Sequence, residues 1–326
     1  ELERDVGILG FSYNYRRRSY DDVIEQLNAL SPPRGPFKKL YKHKIKESVK
    51  KLRMLEAVGR TEFSEKSIDL YGYPNKDLID KAYQMLELKE QEKGETFSAQ
   101  KAKRLLQQKL QDLDISWKNK TKKLLGYAHV TTTKQEVVLS SNHQFTENLI
   151  DRLAVHEIGT HGVRYLNAKQ QPLKIFRNFP GYLATEEGLA AFTEEITGYL
   201  NNETLRRYAG RVIAVEYAQD HTLLETYEYM KKYFDTKNAL NIAMRVKRGL
   251  PNSESLGAFT KDHVYLKGFF RVKEFLKKHP LRFLYLGKVN MDYIKLLRKL
   301  EPELKPVKYF PPLLFNAEIK RELLEK

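Results

Sequence analysis

The 326-residue chain carries 58 Lys and Arg against 42 Asp and Glu, which gives a formal net charge of +16 at pH 7. Hydrophobic residues form 41% of the chain and charged residues 31%, a composition typical of a folded protein rather than a disordered one. The lack of cysteine excludes disulfides and thiolate metal sites, and no apolar run approaches the ~20 residues of a membrane span. The chain needs no oxidising compartment, and we predict a cytoplasmic protein. Its charge permits an acidic polypeptide, nucleic acid or an anionic membrane as partner.

The first part of the chain is predicted to be helical, and we separate residues 1–94 as an N-terminal helical region. The predicted helices are 20–30, a basic amphipathic helix that ends at Gly59, a short helix from Ser64, and 75–88. The apolar side of the basic helix is formed by Leu40, Tyr41, Ile45, Val49, Leu52 and Leu55. Its lysines either contact an acidic partner or are simply solvated.

A small β-structure is predicted after a helix over residues 98–113. Residues 128–132 and 136–140 are rich in Val and Thr and are separated by a polar turn, which indicates a hairpin. The second strand could form a sheet edge that pairs with an extended peptide through main-chain hydrogen bonds. A hairpin with a purely structural role is the alternative.

The most informative stretch is His156-Glu157-Ile158-Gly159-Thr160-His161, in which a glutamate lies between two histidines. Histidines at i and i+4 on an α-helix can bind one metal ion, but these two are five residues apart. At ~100° per residue they would lie about 140° apart on a regular α-helix. The sequence therefore predicts a distortion between them, either a π-bulge or a loosening at Gly159. Thr146 is predicted to cap this helix.

A second helix is predicted from Thr185, which we interpret as its N-cap, so that Glu187 falls in the first turn near the positive helix end. Two imidazoles and one carboxylate suit a catalytic zinc ion with an open position for water, and a free carboxylate could handle the proton of that water. After this pair the chain is predicted to stay helical. The further helices are 203–220, 221–234, 237–248, 261–278, 291–300 and a charged helix from Asn316.

The layout of His-Glu-x-x-x-His on one helix and Glu-Gly-Leu-Ala on the next resembles the gluzincin metallopeptidases. It is similar in particular to the microtubule-associated tyrosine carboxypeptidase family, whose bacterial members are called QEGLA-motif proteins. Residues 245–249 and 259–268 resemble that family too, and the similarity covers roughly residues 96 to 280. The chain departs from the QEGLA pattern at Glu186, where the motif has Gln. The resemblance implies a predominantly α-helical α+β fold with a gluzincin-like core, and a zinc metallopeptidase domain over 95–326.

The resemblance also implies roles for individual residues. His156, His161 and Glu187 would be the Zn²⁺ ligands and Glu157 the general base. Tyr265 would stabilise the oxyanion, with a half-buried aromatic role as the alternative. The candidates that would bind a substrate carboxylate are Arg245, Arg248 and Lys261. Gluzincins often place an acid four residues after the ligand glutamate to orient a histidine, but Ala191 is there. Either Glu194, seven residues on and on the same face, substitutes, or the support comes from elsewhere.

Three functions remain open from the sequence. The leading hypothesis is a zinc carboxypeptidase that acts on a peptide or protein C-terminus, with tyrosine and an acidic, tubulin-like tail suggested only by the family. The alternatives are a zinc endopeptidase or amidase of other specificity, and a basic protein that binds nucleic acid or an acidic polymer without catalysis. Structural zinc usually takes four protein ligands, mostly thiolates, which this chain lacks.

Overall fold

A computed structural model describes residues 18–89, 94–112, 115–124 and 127–309 of the chain. The fold is predominantly helical with one small sheet, as predicted. The chain divides into two compact units, of which the first comprises Glu1–Lys89 and Glu203–Lys267 and the second Glu90–Asn202 and Gly268–Lys326. The first unit thus includes Glu203–Lys267, which we assigned to the catalytic domain over 95–326. The division of the chain at residue 94 stays a prediction. None of the helices in the described residues is both long and apolar enough to cross a membrane.

The first unit is built from helices. They are α1 (Asp21–Ala29), α2 (Lys38–Glu56), α3 (Phe63–Tyr71), α4 (Lys76–Leu86), α9 (Asn202–Tyr217), α10 (Leu223–Met230) and α11 (Thr236–Lys247). Asn75 caps α4 and Asp235 caps α11, each by accepting the main-chain N–H three residues on. The basic helix α2 buries Leu40 and Met54. Leu55, which we placed on the apolar side of this helix, is 39% exposed.

The second unit contains the sheet and the remaining helices. They are α5 (Ala99–Asp112), α6 (Glu147–Leu153), α7 (Val163–Gln170), α8 (Tyr182–Ile196), α13 (Arg282–Tyr285) and α14 (Ile294–Leu300). Helix α12 (Val264–Leu276) contains the boundary between the two units. The charged helix predicted from Asn316 lies outside the described residues.

The sheet has three strands in the order β1-β3-β2: β1 (Lys118–Lys122), β2 (Ala128–Thr131) and β3 (Glu136–Ser140). The predicted hairpin is confirmed, because β2 and β3 are antiparallel with Ala128 opposite Leu139. Strand β1 was not predicted, because its sequence consists of lysine, asparagine and threonine and has none of the alternating apolar residues that are typical of a strand. It pairs in parallel with β3. The prediction that β3 forms a sheet edge is therefore wrong, because β3 is the central strand.

One continuous helical segment runs through α6, a π-helix over Ala154–Gly162, and α7. Thr146 caps its start by accepting the N–H of Leu149 at 3.2 Å, as predicted. The π-helix confirms the predicted distortion between His156 and His161. It carries Gly162 against the Trp117 side chain, where a Cβ would meet a ring carbon at 3.0 Å.

Helix α8 begins four residues earlier than predicted. Its N-cap is Gly181, which adopts a left-handed conformation with φ of 65°. Thr185 is buried inside the helix, where its hydroxyl accepts the N–H of Met291 at 3.1 Å. The predicted cap at Thr185 is therefore wrong, and Glu187 lies in the second turn rather than at the helix end.

Candidate metal centre

Three side chains from two helices meet in the second unit. His156 and His161 project from the π-helix and Glu187 from α8, and one ligand atom from each lies within 4.8 Å of the other two. The Glu187 Oε2 atom is 3.6 Å from His156 Nε2 and 3.7 Å from His161 Nε2. These are the three residues that the sequence singled out as metal ligands, and the structure brings them to one point.

The π-helix explains how histidines five residues apart can share this point. Its main-chain hydrogen bonds join residues five apart instead of four, so residues i and i+5 are one turn apart and lie on the same side. The His156 and His161 rings accordingly have their centroids 4.9 Å apart, with an angle of 79° between their planes. A regular α-helix would have turned the two rings away from each other.

Behind His156 lies a buried carboxylate. Glu194 is fully buried, and its Oε1 atom is 2.6 Å from His156 Nδ1 and 3.3 Å from Arg152 Nη1. Arg152 belongs to α6 and is itself buried. The contact expected between Glu194 and a ligand histidine is confirmed, seven residues after Glu187 on the same helix.

A buried carboxylate, that of Glu186, also lies behind His161. The sequence did not lead us to expect this contact. The Glu186 Oε1 atom is 2.8 Å from His161 Nδ1 and 2.9 Å from Lys288 Nζ, while Glu186 Oε2 contacts Arg164. The Arg164 guanidinium is fully buried and also donates to three main-chain carbonyls, those of Leu284, Gly287 and Val289. In the sequence, the one signal for this contact was Glu186 itself, an acid at the position where the QEGLA motif has Gln.

Two positively charged side chains and a histidine keep the Glu186 carboxylate ionised. Burial by itself raises the pKa of Glu186, but Lys288, Arg164 and His161 together lower it well below its ordinary value. A carboxylate therefore faces Nδ1 of each histidine. We assign the ring proton to Nδ1 in both, which directs the lone pair of each Nε2 toward Glu187.

The donor set fits a divalent cation. Glu187 Oε2 is buried and has no hydrogen-bond partner among the described residues, and both histidine distances to it exceed hydrogen-bond length. The two imidazole lone pairs and the carboxylate oxygen face one another and repel, so a cation between them would stabilise the arrangement. Two neutral imidazoles and one carboxylate are ligands that zinc accepts.

The other predicted site residues divide between the two units. Glu157 follows His156 on the π-helix and is partly exposed. Tyr265, Arg245, Arg248 and Lys261 belong to the first unit. Tyr265 is half-buried and stacks on Tyr208 with ring centroids 5.3 Å apart. Arg245 donates to Asp262 at 2.6 Å, and Arg248 contacts the same carboxylate at 3.4 Å.

The fold and this centre define a predominantly helical protein with a candidate His-His-Glu metal site formed by a π-helix and α8. Comparison with protein families places the chain more narrowly, because the microtubule-associated tyrosine carboxypeptidase family matches residues 15–325. The chain belongs to this family.

Individual relatives are similar at modest identity. The MATCAP2 protein of Mus musculus is 28% identical over 188 residues, which are 55% of this chain and 36% of that protein. Microtubule-associated tyrosine carboxypeptidase 1 is 28% identical over 150 residues in Rattus norvegicus and 29% over 153 residues in Homo sapiens. These matches cover 44% of this chain and 32% and 31% of the relatives. The chain thus matches only about a third of the length of these relatives.

Proposed function

We propose that this chain is a zinc-dependent carboxypeptidase with a gluzincin-like core, which releases the C-terminal residue of a peptide or protein. The observation that supports this most directly is the convergence of His156, His161 and Glu187 around a buried carboxylate oxygen to which no other group in the described part of the chain is hydrogen-bonded. These three side chains would hold the ion. Bound zinc would supply a Lewis acid for the scissile carbonyl and lower the pKa of a water molecule.

The protein's own residues supply the proton transfers. Glu157 accepts a proton from the attacking water and delivers it to the departing amine. Its position directly after His156, and its partial exposure, leave the carboxylate open to substrate. Glu194 and Glu186 hold the two imidazoles in one tautomer and orientation. Tyr265 is the candidate donor to the oxyanion of the tetrahedral intermediate.

The substrate assignment follows from the family and from charge. Relatives carry the name tyrosine carboxypeptidase, and a C-terminal tyrosine on an acidic, tubulin-like tail is the substrate that we propose. The net charge of +16 favours an acidic chain. Helix α2 presents exposed positive side chains suited to that role, namely Lys39, Lys42, Lys46, Lys50, Lys51 and Arg53. The terminal carboxylate would be bound by Arg245, Arg248 and Lys261.

Substitution of Glu157 by Gln tests the proposal. We expect the variant to fold and to retain one zinc per chain, while hydrolysis of a peptide ending in tyrosine falls by at least about a hundredfold, because a general base contributes ~10²–10⁴. Peptide mass spectrometry and metal analysis measure the two outcomes. Glu147→Gln is the matched control, since Glu147 is exposed and lies in the first turn of the same helical segment. Undiminished hydrolysis by Glu157→Gln would rule out the assigned base.

A peptide with an amidated C-terminal tyrosine separates the enzymatic alternatives. A carboxypeptidase should not cut it, whereas an endopeptidase or amidase would cut it as fast as the free acid. The non-catalytic alternative predicts salt-sensitive nucleic-acid binding that survives removal of the metal, together with no hydrolysis.

A further inference from the structure

The strand β1 lies at one edge of the three-stranded sheet in the second unit. It pairs with β3, and no strand in the described ranges pairs with its other side. The Lys118 N–H donates to the Gln135 carbonyl at 2.9 Å, and the Lys122 carbonyl accepts the Ser141 N–H at 2.8 Å. The lysines at alternate positions of β1 therefore direct their main-chain groups toward β3.

The residues between these lysines direct their main-chain groups the other way. Neighbouring residues of a strand point their N–H and C=O groups to opposite sides, so those of Asn119 and Thr121 face outward. Within the part of the chain that the structure describes, these groups have no hydrogen-bond partner. An unpaired edge of this kind is a template for an extended polypeptide, which adds as a further strand.

Three lysine side chains lie on one face of β1. Lys118, Lys120 and Lys122 are exposed, whereas Asn119 between two of them is buried. Alternate side chains of a strand lie about 7 Å apart. We call these three lysines the lysine ladder. Neither Lys118 nor Lys122 forms a salt bridge with the residues that the structure describes, whereas Lys120 pairs with Glu136 of β3.

The lysine ladder keeps a surplus of positive charge. Glu136 interacts electrostatically with Lys122 and Lys134 as well as with Lys120. A single carboxylate thus faces several ammonium groups, which it cannot neutralise. An acidic ligand at this edge gains from the surplus, and it gains most at low ionic strength because the lysines are exposed.

The sign and the spacing of these charges decide which occupant fits. A second copy of β1 would bring lysine against lysine, and lysines on an edge strand oppose such pairing. A strand with an acid at every second position instead places its carboxylates beside the lysines, because both strands repeat every two residues. A nucleic acid would contact the lysines but would leave the main-chain groups of Asn119 and Thr121 unpaired, so the surface favours a polypeptide.

We propose that the outer edge of β1 binds an extended acidic polypeptide, which adds to the sheet as a fourth strand and pairs its alternate carboxylates with the lysine ladder. Asn119 and Thr121 supply main-chain hydrogen bonds that tolerate varied peptide sequences, and the lysines supply the preference for acids. This edge uses no residue of helix α2 or of the metal centre, and the inference does not depend on the proposed function.

Fluorescence anisotropy with labelled peptides tests this edge. The probe is a seven-residue peptide of alternating Glu and Thr, with the fluorophore at its N-terminus and an amide in place of its terminal carboxylate. We expect it to bind the full-length chain saturably. A permuted peptide of the same composition, with its acids consecutive, should bind at least about threefold more weakly. Methylation of every main-chain nitrogen of the alternating peptide should weaken binding at least about tenfold, because the peptide loses its donors but keeps its charge.

The variant Lys118→Gln/Lys122→Gln should weaken binding of the alternating peptide about fivefold, as expected for the loss of two exposed ion pairs. Lys174→Gln/Lys299→Gln is the matched control, because it removes two charges from exposed positions of the same unit. It should bind the peptide as the unmodified chain does, and circular dichroism confirms that both variants are folded.

Four outcomes would overturn the proposal. They are equal binding of the permuted or the methylated peptide, unchanged binding by the folded ladder variant, an equal loss in the control, and tighter binding of a single-stranded oligothymidylate with the same number of negative charges.

The result is separable from the fate of the proposed function. If hydrolysis of a tyrosine peptide is established but the ladder variant binds the alternating peptide normally, the docking edge is wrong and the metal centre stands. If binding depends on the lysine ladder but zinc and hydrolysis are absent, the docking edge stands and the proposed enzyme is wrong.

Discussion

Each histidine of the metal centre is held from behind by a carboxylate, and each carboxylate is held by an arginine. His156 contacts Glu194, which contacts Arg152, and His161 contacts Glu186, which contacts Arg164. A neutral imidazole rotates and exchanges tautomers freely unless its second nitrogen is occupied. The two carboxylates therefore prepare both Nε2 atoms for a ligand and add negative charge that favours a bound cation.

Glu194→Gln tests this role at the residue scale. The amide can still accept the His156 proton, but it loses the negative charge and leaves the buried Arg152 without its anionic partner. We expect zinc affinity to fall about 10–100-fold, the range measured for residues that orient metal ligands. Competition with a zinc chelator measures it. Glu195→Gln is the control, because the neighbouring Glu195 is partly exposed and pairs with Lys273 instead. Equal zinc affinity in both variants would contradict the positioning role.

Within the second unit, α8 touches the part of α12 that begins at Gly268, and the contact is made by a pair of glycines. A Cβ on Gly188 of α8 would lie 2.1 Å from the Gly268 carbonyl carbon, and a Cβ on Gly268 would lie 1.9 Å from the Ala184 oxygen. Main chain packs directly on main chain here, which only glycine allows. This explains why glycine follows Glu187, since a larger residue would move α8 and its carboxylate.

Gly188→Ala should therefore destabilise the chain by about 2–3 kcal/mol, because the added methyl group meets rigid main chain rather than a movable side chain. Denaturation by urea measures the free energy of unfolding. Gly94→Ala is the control, since a Cβ there meets nothing within 4 Å. We also expect weaker zinc binding by Gly188→Ala. A stability equal to that of Gly94→Ala would show that the helices separate without cost.

At the scale of the whole molecule, the free energy of unfolding depends on pH through ionisable side chains that are buried in their neutral form. His263 in the first unit is fully buried, and its Nδ1 atom donates to the Thr260 carbonyl at 2.6 Å. The pKa of His263 is lowered from 6.5 to about 4, chiefly by burial and to a smaller extent by the nearby Lys267, whereas the Thr260 carbonyl and Asp262 act in the opposite direction. The folded chain thus holds this histidine neutral at pH values where the unfolded chain protonates it.

The sign of the pH dependence follows from this difference. Above pH 6.5 both states are neutral and the stabilisation is complete, but it is lost as the pH falls from 6.5 through about 4. Between pH 7 and pH 4.5 the loss attributable to His263 should be about 2 kcal/mol, and His263→Gln should lack it. Urea denaturation at pH 7 and pH 4.5 measures it, with the exposed His43→Gln as control. An unchanged pH dependence in His263→Gln would disprove the assignment.

The sequence by itself determined the helices, the family, and the three residues that meet at the metal centre. These depend on local rules, because helix periodicity and N-caps such as Thr146 and Asn75 act over a few residues. A distortion of the helix was predictable too, since two histidines five residues apart cannot face one point on a regular α-helix, and the π-helix is one of the two forms that we expected. Glu194 was predictable as a residue two turns after Glu187 on the same helix.

Only the tertiary structure decided the features that join distant parts of the chain. Lys288 and Arg164 reach Glu186 from segments far from it in sequence, and Thr185 contacts Met291 instead of capping a helix. Strand β1 forms on the free side of β3 despite its polar sequence, because pairing with a neighbouring strand supplies what its composition does not. Such contacts carry no periodic signal, and packing alone selects them.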